Sequence, residues 1–465
     1  MSTSFSNGTI RTGRWHYILR NNLKKLFILA FMLYLSIQGT LPASAMGNMQ
    51  VEWQSTIGWV GYRERVVAIY QAVDGYTAVV EKELGVGPMS TIPVSRDIYM
   101  VRLDFIGKKV WERLIAANCE KNSRSLQARE GDLVVAFTEK SPQNNQLPRD
   151  ITIIRVDSSG NKIWGETLGG ERDEYLSCIE KTPDGGFLIA GSSNSFSGGN
   201  DYDVYLVKLN VSGENVWEKT YGGKGDEKGY ATVQSNDGDC LVVGSSYSAT
   251  SGNIDDVNMA KTDSSGSIAW KKTFGSSGPD NIKTVQRTDD GGLIMIGTTG
   301  SFPGWENIWL IKVDASGEKT WEKVFGSDNH DYGISVKEAS DGGFIVFGDT
   351  RPFGEGSSAL LIRADSHGKK IWEKTFGKNF WTTDVLQAGA DSIIVGEEDG
   401  NTRIINTGPD GNQLWEKSLS GVAPVSIWQT DSESVIIAGT THSTDRWSDI
   451  SIVKLNLDQS SGYIQ

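Results

Sequence analysis

Apolar runs of four or five residues recur along the chain, each bracketed by glycine, aspartate or serine. "VYLV" (Val204–Val207), "IWLI" (Ile308–Ile311) and "ALLI" (Ala359–Ile362) barely alternate with polar residues. A strand with one face in water alternates at period two, whereas a strand covered on both faces reads as a continuous run. The pattern predicts many short, doubly covered β-strands.

The runs belong to a longer repeat. Tryptophan followed by charge recurs at Trp53, Trp111, Trp164, Trp217, Trp270, Trp321, Trp372 and Trp415, with spacings of 58, 53, 53, 53, 51, 51 and 43 residues. Self-similarity at this period is the mark of propeller blades. Within each unit an aspartate-glycine turn (Asp184-Gly185, Asp237-Gly238, Asp290-Gly291, Asp341-Gly342) predicts one hairpin of the two-residue kind. A "DxSG" turn, as at Asp157–Gly160 or Asp314–Gly317, predicts a second. Each unit is therefore four antiparallel strands, a to d by likeness to other propellers, with the tryptophan on d. The chain enters on a d strand at Trp53 and leaves on a c strand, Asp449–Asn456. Gln50–Thr56 should thus complete the last blade, since open edges invite aggregation. The fold class expected is all-β: an eight-bladed β-propeller of four-stranded antiparallel blades, its ring closed by the N-terminal strand.

One stretch, "DSHGKKIWEKTFG" (Asp365–Gly377), looks like a catalytic cluster. The repeat argues otherwise. Nine residues before each anchor from Trp111 onward stands Arg102, Arg155, Lys208, Lys261, Lys312, Arg363 or Asn406, and five earlier again Asp97, Asp150, Asp203, Asp256, Asn307, Ser358 or Asn401. A single active site does not need seven copies of its acid and base. These positions should tie strand c to neighbouring backbone or to the next blade, with His367 a solvent-facing turn residue.

The first 45 residues differ in kind. Five basic residues (Arg11, Arg14, Arg20, Lys24, Lys25) and no acidic one precede the apolar run Leu26–Ile37 and then Ala43-Ser44-Ala45. That order reads as a secretory signal cleaved after Ala45; at 12 residues the run is short for the ~20 a span needs. Residues 1–45 are read as signal peptide and 46–465 as a single propeller domain, secreted or at the cell surface. Without the leader 40 basic residues face 58 acidic ones, a net charge of −18. Such a surface disfavours nucleic acid and anionic lipid. Cys119, Cys178 and Cys240 are odd in number and far apart, so they should be small buried hydrophobes rather than a disulfide framework.

"SDGGFIVFG" (Ser340–Gly348), "DVYLVKLNVSGENVW" (Asp203–Trp217) and "WEKTFG" (Trp372–Gly377) resemble the secreted bacterial and archaeal repeat β-propeller proteins of the quinoprotein alcohol dehydrogenase-like superfamily, over roughly residues 50–465. The resemblance implies the fold. It does not imply the chemistry, since the tryptophan docking motif of the quinone enzymes is one residue longer than "ADSHGKKIW" between aspartate and glycine, and their adjacent cysteine pair is missing. The Asp-box of sialidases is in turn shorter than "VDSSGNKIW", and no non-repeating carboxylate pair suited to glycoside hydrolysis stands out. His330, His367 and His442 show no zinc-ligand spacing. Neither a catalytic residue, a metal nor a cofactor is assigned.

The d–a and b–c connections share one face and vary in length, while the opposite turns stay short. Trp59, Trp305, Trp381, Trp447, Phe353 and His330 map to the variable face, accompanied by Phe302 and Phe380. Variable loops on a rigid scaffold are where binding resides, and aromatic platforms bury area at small entropic cost. These six residues are the expected ligand-binding set, for a glycan or a cell-surface protein, on a monomer. A secreted glycan hydrolase, or a quinone-type oxidoreductase, is the alternative. Asp173, Asp226, Asp280 and Asp331, just ahead of strand a on the same face, either hold calcium or, as their recurrence suggests, cap strand starts and bond an adjacent blade.

Overall fold

The computed structural model describes residues 49–457 apart from 60–61, 85–95, 121–122, 130, 141–147, 198, 236, 249–253, 276–277, 303–304, 353, 355, 431–433 and 443–447. All lie in the unit Gly47–Gln465. The leader, Phe353 and Trp447 fall outside the described residues. Every strand or helix described is a strand, and no described helix is long and apolar enough to cross a membrane.

The strands group in fours, named here by their anchor. In the Trp217 sheet, Glu174–Lys181, Phe187–Ser193, Asp203–Leu209 and Asn215–Tyr221 pair in chain order, all antiparallel. The Trp270 sheet (Asp226–Gln234 to Ile268–Phe274), the Trp321 sheet (Asp280–Arg287 to Lys319–Phe325), the Trp372 sheet (His330–Glu338 to Lys370–Phe376) and the Trp415 sheet (Phe380–Ala388 to Gln413–Leu419) repeat that order. The Trp111 sheet (Tyr62–Ala72 to Lys109–Cys119) and the Trp164 sheet (Arg124–Arg129 to Lys162–Leu168) are fused into one by a single pairing, Cys119 with Glu139. In the remaining sheet Val422–Gln429, Ser434–His442 and Ser448–Leu457 come from the C-terminal region. Met49–Ile57 supplies the fourth strand, with Trp53 opposite Lys454.

The unbroken apolar runs have a clear cause. Phe187–Ser193 and Asp203–Leu209 are buried at every position, whereas the d strand Asn215–Tyr221 is mostly exposed. Strands b and c are covered on both faces by neighbouring sheets, and the clusters they form join successive sheets. Ile151 and Ile153 of the Trp164 sheet pack with Ile189 and Val207 of the Trp217 sheet. Val101 and Leu103 likewise pack with Ile436 and Ile450. Strand a carries a bulge, which falls in the Trp217 sheet between Leu176 and Cys178, with Gly191 opposite. A side chain at Gly191 would begin only 2.0 Å from the Tyr175 carbonyl oxygen, so the bulge and the glycine form one device that bends the strand and sharpens its twist.

The turns correct one expectation. The aspartate-glycine loops are mostly longer than two residues: Gly185 N–H bonds Thr182 O at 2.9 Å, Thr182 N–H bonds Gly186 O at 3.0 Å, and Gly185 sits at φ 82°. The "DxSG" turns close in the same way, from Asp157 to Asn161 for example. The carboxylate of Asp157 also accepts the N–H groups of Ser159 and Asn161 at 2.9 and 2.8 Å. A short polar side chain that bonds its own backbone ahead selects this turn. His367 occupies the equivalent exposed tip after Asp365.

The anchors explain the turn glycine. Trp164 lies over Gly213, the turn glycine of the following sheet, so closely that a methyl group there would fall 2.5 Å from the indole. Trp53 over Gly107, Trp217 over Gly266, Trp270 over Gly317, Trp321 over Gly368 and Trp372 over Gly411 repeat the contact. Trp217 adds an indole N–H bond to Ser264 O at 3.0 Å. All eight anchors are half-buried, a common depth shallower than full enclosure, because the d strand is the outermost of each sheet.

Candidate functional site

The recurring charges turn out to be clips. Lys208 Nζ, buried on strand c, donates to Asp184 of its own a–b turn at 2.8 Å and to Thr182 Oγ1 at 2.5 Å, and reaches Gln234 of the next sheet at 3.3 Å. Arg102 with Asp74, Arg155 with Asp132, Lys261 with Asp239, Lys312 with Asp290 and Arg363 with Asp341 repeat the pair. The main partner is thus within the same sheet, where the sequence suggested neighbouring backbone or the next blade. Hydrogen bonds from Lys208 and Thr182 outweigh burial and hold the Asp184 carboxyl at about 2, well below its ordinary range.

On the opposite face, the first acid of strand c meets an acid at the start of the next sheet's strand a. Asp203 bonds Glu227, and both carboxyl groups crowd the α-carbon of Gly222. Asp150 bonds Glu174 beside Gly169, and Asp256 and Asp280 converge on Gly275. Burial raises the carboxyls of Asp203, Glu227, Asp150 and Glu174, and the charge of each aspartate opposes ionisation of its neighbouring glutamate. A cleft of about 330 Å³ opens beside Glu227 and Lys271. Its acid pair, however, is one of a series along successive seams. It joins neighbouring sheets, as the others of the series do.

The four calcium candidates are engaged by protein. Asp173 accepts Arg149 N and the Arg149 guanidinium, each at 3.0 Å, and Asp226 accepts Tyr202 N at 2.9 Å, both from the preceding sheet. Asp331 accepts Ser327 N at 2.8 Å and Asp280 accepts Ser301 Oγ at 2.6 Å. Among the described residues no three acid, histidine or cysteine side chains are grouped to hold a metal ion. Cys119 and Cys240 are buried and Cys178 half-buried, all as free thiols whose pKa burial raises.

Of the expected aromatic set, Trp59 stands apart. It is half-buried, with the Lys82 ammonium 3.2 Å from its ring centre and 3.5 Å from that of Tyr99. Its indole N–H goes to Glu112 at 3.1 Å and its backbone N–H to Glu64 at 3.1 Å. Its contacts are internal. Burial lowers the Lys82 ammonium to about 8 against the pull of Glu112, and raises the Glu64 carboxyl to about 7.

Trp305, His330 and Trp381 belong to one surface strip. Trp305 stands in the b–c connection of the Trp321 sheet, 4.7 Å from His330, ring centre to ring centre. His330 and Tyr332 share a face of strand a in the Trp372 sheet, their rings parallel within 5° and 6.3 Å apart. Arg351, opposite His330 on strand b, lies 4.5 Å from the centre of Tyr332 and 4.4 Å from that of Trp381 in the Trp415 sheet. Trp381 thus stands on strand a rather than in the d–a connection expected for it, and His330 is likewise a strand-a residue. Trp305 and Trp381 are 51% and 50% exposed, enough to offer their faces to a partner. Phe302 is exposed near Trp305, whereas Phe380 is a core residue.

Three members of the strip escaped sequence reading. Glu306 takes both polar tips of the middle rings, meeting His330 Nδ1 and accepting Tyr332 Oη at 2.9 Å. Tyr332 and Arg351 complete the stack. The available signal was at the end of strand b, where "DTR" (Asp349–Arg351) replaces the "SSN" and "TTG" of other units. Asp349 is buried beneath the strip, accepts Thr382 N at 3.3 Å, and is raised to about 6 by that burial.

The strip lies almost wholly inside residues 306–456, which match a family described as outer membrane protein assembly factor BamB. No curated protein is detectably similar in sequence. Among solved structures, the Dos1 propeller is similar with a TM-score of 0.54 at 10% identity, over 88% of this chain and 96% of that one. The β-propeller domain of the Trilobed protease from Pyrococcus furiosus is similar over 74% of this chain and 99% of that one, at 11% identity and a TM-score of 0.42. TolB from Acinetobacter baumannii covers 77% and 80%, at 13% identity and a TM-score of 0.34. The chain has a β-propeller fold of repeated four-stranded sheets.

Proposed function

We propose that the chain is an exported binding module, an eight-bladed propeller closed into a ring, which holds a protein or glycan partner on the face bearing the d–a and b–c connections. The observation that carries the reading is the strip from Trp305 through His330, Tyr332 and Arg351 to Trp381, with half of each terminal indole in solvent. It spans three successive sheets, and among the described residues the only related arginine group, Arg149 with Tyr175 and Tyr202, carries no tryptophan. Closure is supported at the seam between chain ends, where strand Tyr62–Ala72 touches Val422–Gln429, Ser434–His442 and Ser448–Leu457, and Trp53 covers Gly107. The basic, apolar leader supports export, and the partly matched family acts in assembly at the outer membrane.

The test is binding by the purified protein to a glycan array and to a panel of cell-surface proteins, with Trp305→Ala/Trp381→Ala alongside. At least a tenfold loss of the bound partner at unchanged melting temperature is expected. Partners held equally well by the double variant would place binding elsewhere.

A further inference from the structure

Arg351 is held as a recognition group. Its guanidinium stacks between Tyr332 and Trp381, and its Nε is buried without a hydrogen-bond partner. No ion pair of Arg351 is seen among the described residues, in contrast to the strand-c arginines Arg102, Arg155 and Arg363. Asp349, its nearest acid by sequence, is close enough for the Arg351 charge to act on its carboxyl, but its hydrogen bond goes to Thr382. Stacking leaves the guanidinium's edge for in-plane bonds, the geometry that takes a carboxylate through two parallel N–H groups.

The surroundings choose between partner classes. A glycan brings several hydroxyls per ring, and each must find a bond when it leaves water. The strip has few groups to give them, since Tyr332 Oη and His330 Nδ1 are both committed to Glu306. What it offers most of is flat ring face, with the Arg351 cation at its centre. Tryptophan, tyrosine and arginine are also the residues that dominate protein–protein contacts. Rings continue on both sides of Arg351, so the partner chain runs past its carboxylate in both directions, which a C-terminal carboxylate does not allow.

Resting on the binding reading above, we infer that the strip receives an extended protein segment whose central aspartate or glutamate side chain pairs with Arg351 while apolar side chains on either side cover Trp305 and Trp381.

The experiment is selection of a random dodecapeptide library on the purified protein, with counter-selection on Arg351→Met/Trp381→Ala. Peptides carrying an acidic residue between apolar ones are expected. A selected peptide should lose at least tenfold affinity when its acid is changed to the amide, and that difference should vanish on Arg351→Met and shrink on Arg351→Lys. Thermal melts of each variant separate recognition from misfolding. Selected peptides without an acid, or with no dependence on Arg351, would overturn the inference while leaving the strip a binding surface if Trp381→Ala still weakens them. Failure to select any peptide, or binding of an oligogalacturonate that Arg351→Met abolishes, would overturn the protein assignment and return the strip to the glycan reading. Ligands indifferent to every one of these substitutions would remove both readings.

Discussion

Lys208 reaches across the end of its own sheet to Asp184 at 2.8 Å, burying its ammonium to 5% exposure while the carboxylate stays 61% exposed. The lysine is what must be satisfied, because a buried ammonium without a counter-charge is costly and an exposed carboxylate is not. Asp184→Asn should cost roughly 1–2 kcal/mol in denaturant unfolding, the worth of a charged hydrogen bond discounted for solvent. Lys208→Met should cost less, since it removes the buried charge altogether. The reverse order would mean that the clip does not hold the turn.

Buried carboxyls with raised pKa and turn aspartates with lowered pKa together predict the pH dependence. Glu64 is 3% exposed and raised to about 7. A carboxyl raised in the fold contributes stability below its unfolded pKa near 4.5, and that stability is lost as pH rises through 7. Asp349, raised to about 6, acts in the same sense. Asp184 and Asp290, lowered to about 2, contribute above pH 4 and lose that contribution below it. Stability should therefore peak near pH 4–5 and decline toward pH 8. Glu64→Gln should flatten that decline by roughly 2–3 kcal/mol, read from denaturation midpoints at several pH values.

One seam already carries the relieved form. Asn307 replaces the strand-c aspartate and faces Asp331 beside Gly326. Asp203→Asn, which copies it, should raise the melting temperature at pH 8 and change it little at pH 5. An equal shift at both pH values would show that the Asp203 charge does not oppose ionisation of Glu227.

Anchor and turn glycine make a joint that can be broken from either side. Gly213→Ala meets a positive φ of 84° and the Trp164 ring together, and should cost about 2–4 kcal/mol. Trp164→Ala should cost about 2–3 kcal/mol, below the value for an enclosed ring because the indole is half-buried. The double variant should cost less than the two single ones together, since they share one contact. Additive losses in urea unfolding would separate the two residues.

Removal of Met49–Ile57 should leave strand Ser448–Leu457 with a bare edge. A lower melting temperature and concentration-dependent association by size-exclusion chromatography are expected. A monomer of unchanged stability would show that the N-terminal strand is dispensable.

The order of strands was legible because it is local. A tryptophan every 43 to 58 residues, a glycine-closed turn before it and an apolar run ahead of that are written within the units, and backbone hydrogen bonding between chain neighbours needs nothing more. Double burial of strands b and c could likewise be read from their lack of alternation. The partners of repeated charges were only half legible: a lysine on strand c shows that a counter-charge is needed, yet whether Asp184 or a neighbouring sheet supplies it depends on how far the turn folds back. The strip was least legible. Trp305, His330 and Trp381 could be named by falling outside the repeat. Tyr332, Arg351 and Glu306 join them because three sheets, which span the 77 residues from Trp305 to Trp381, are set side by side by core packing. The same packing closed Lys82 between Trp59 and Tyr99 and left Trp381 open. Sequence records which side chains are present; which of them spend their contacts on each other is decided only when the sheets meet.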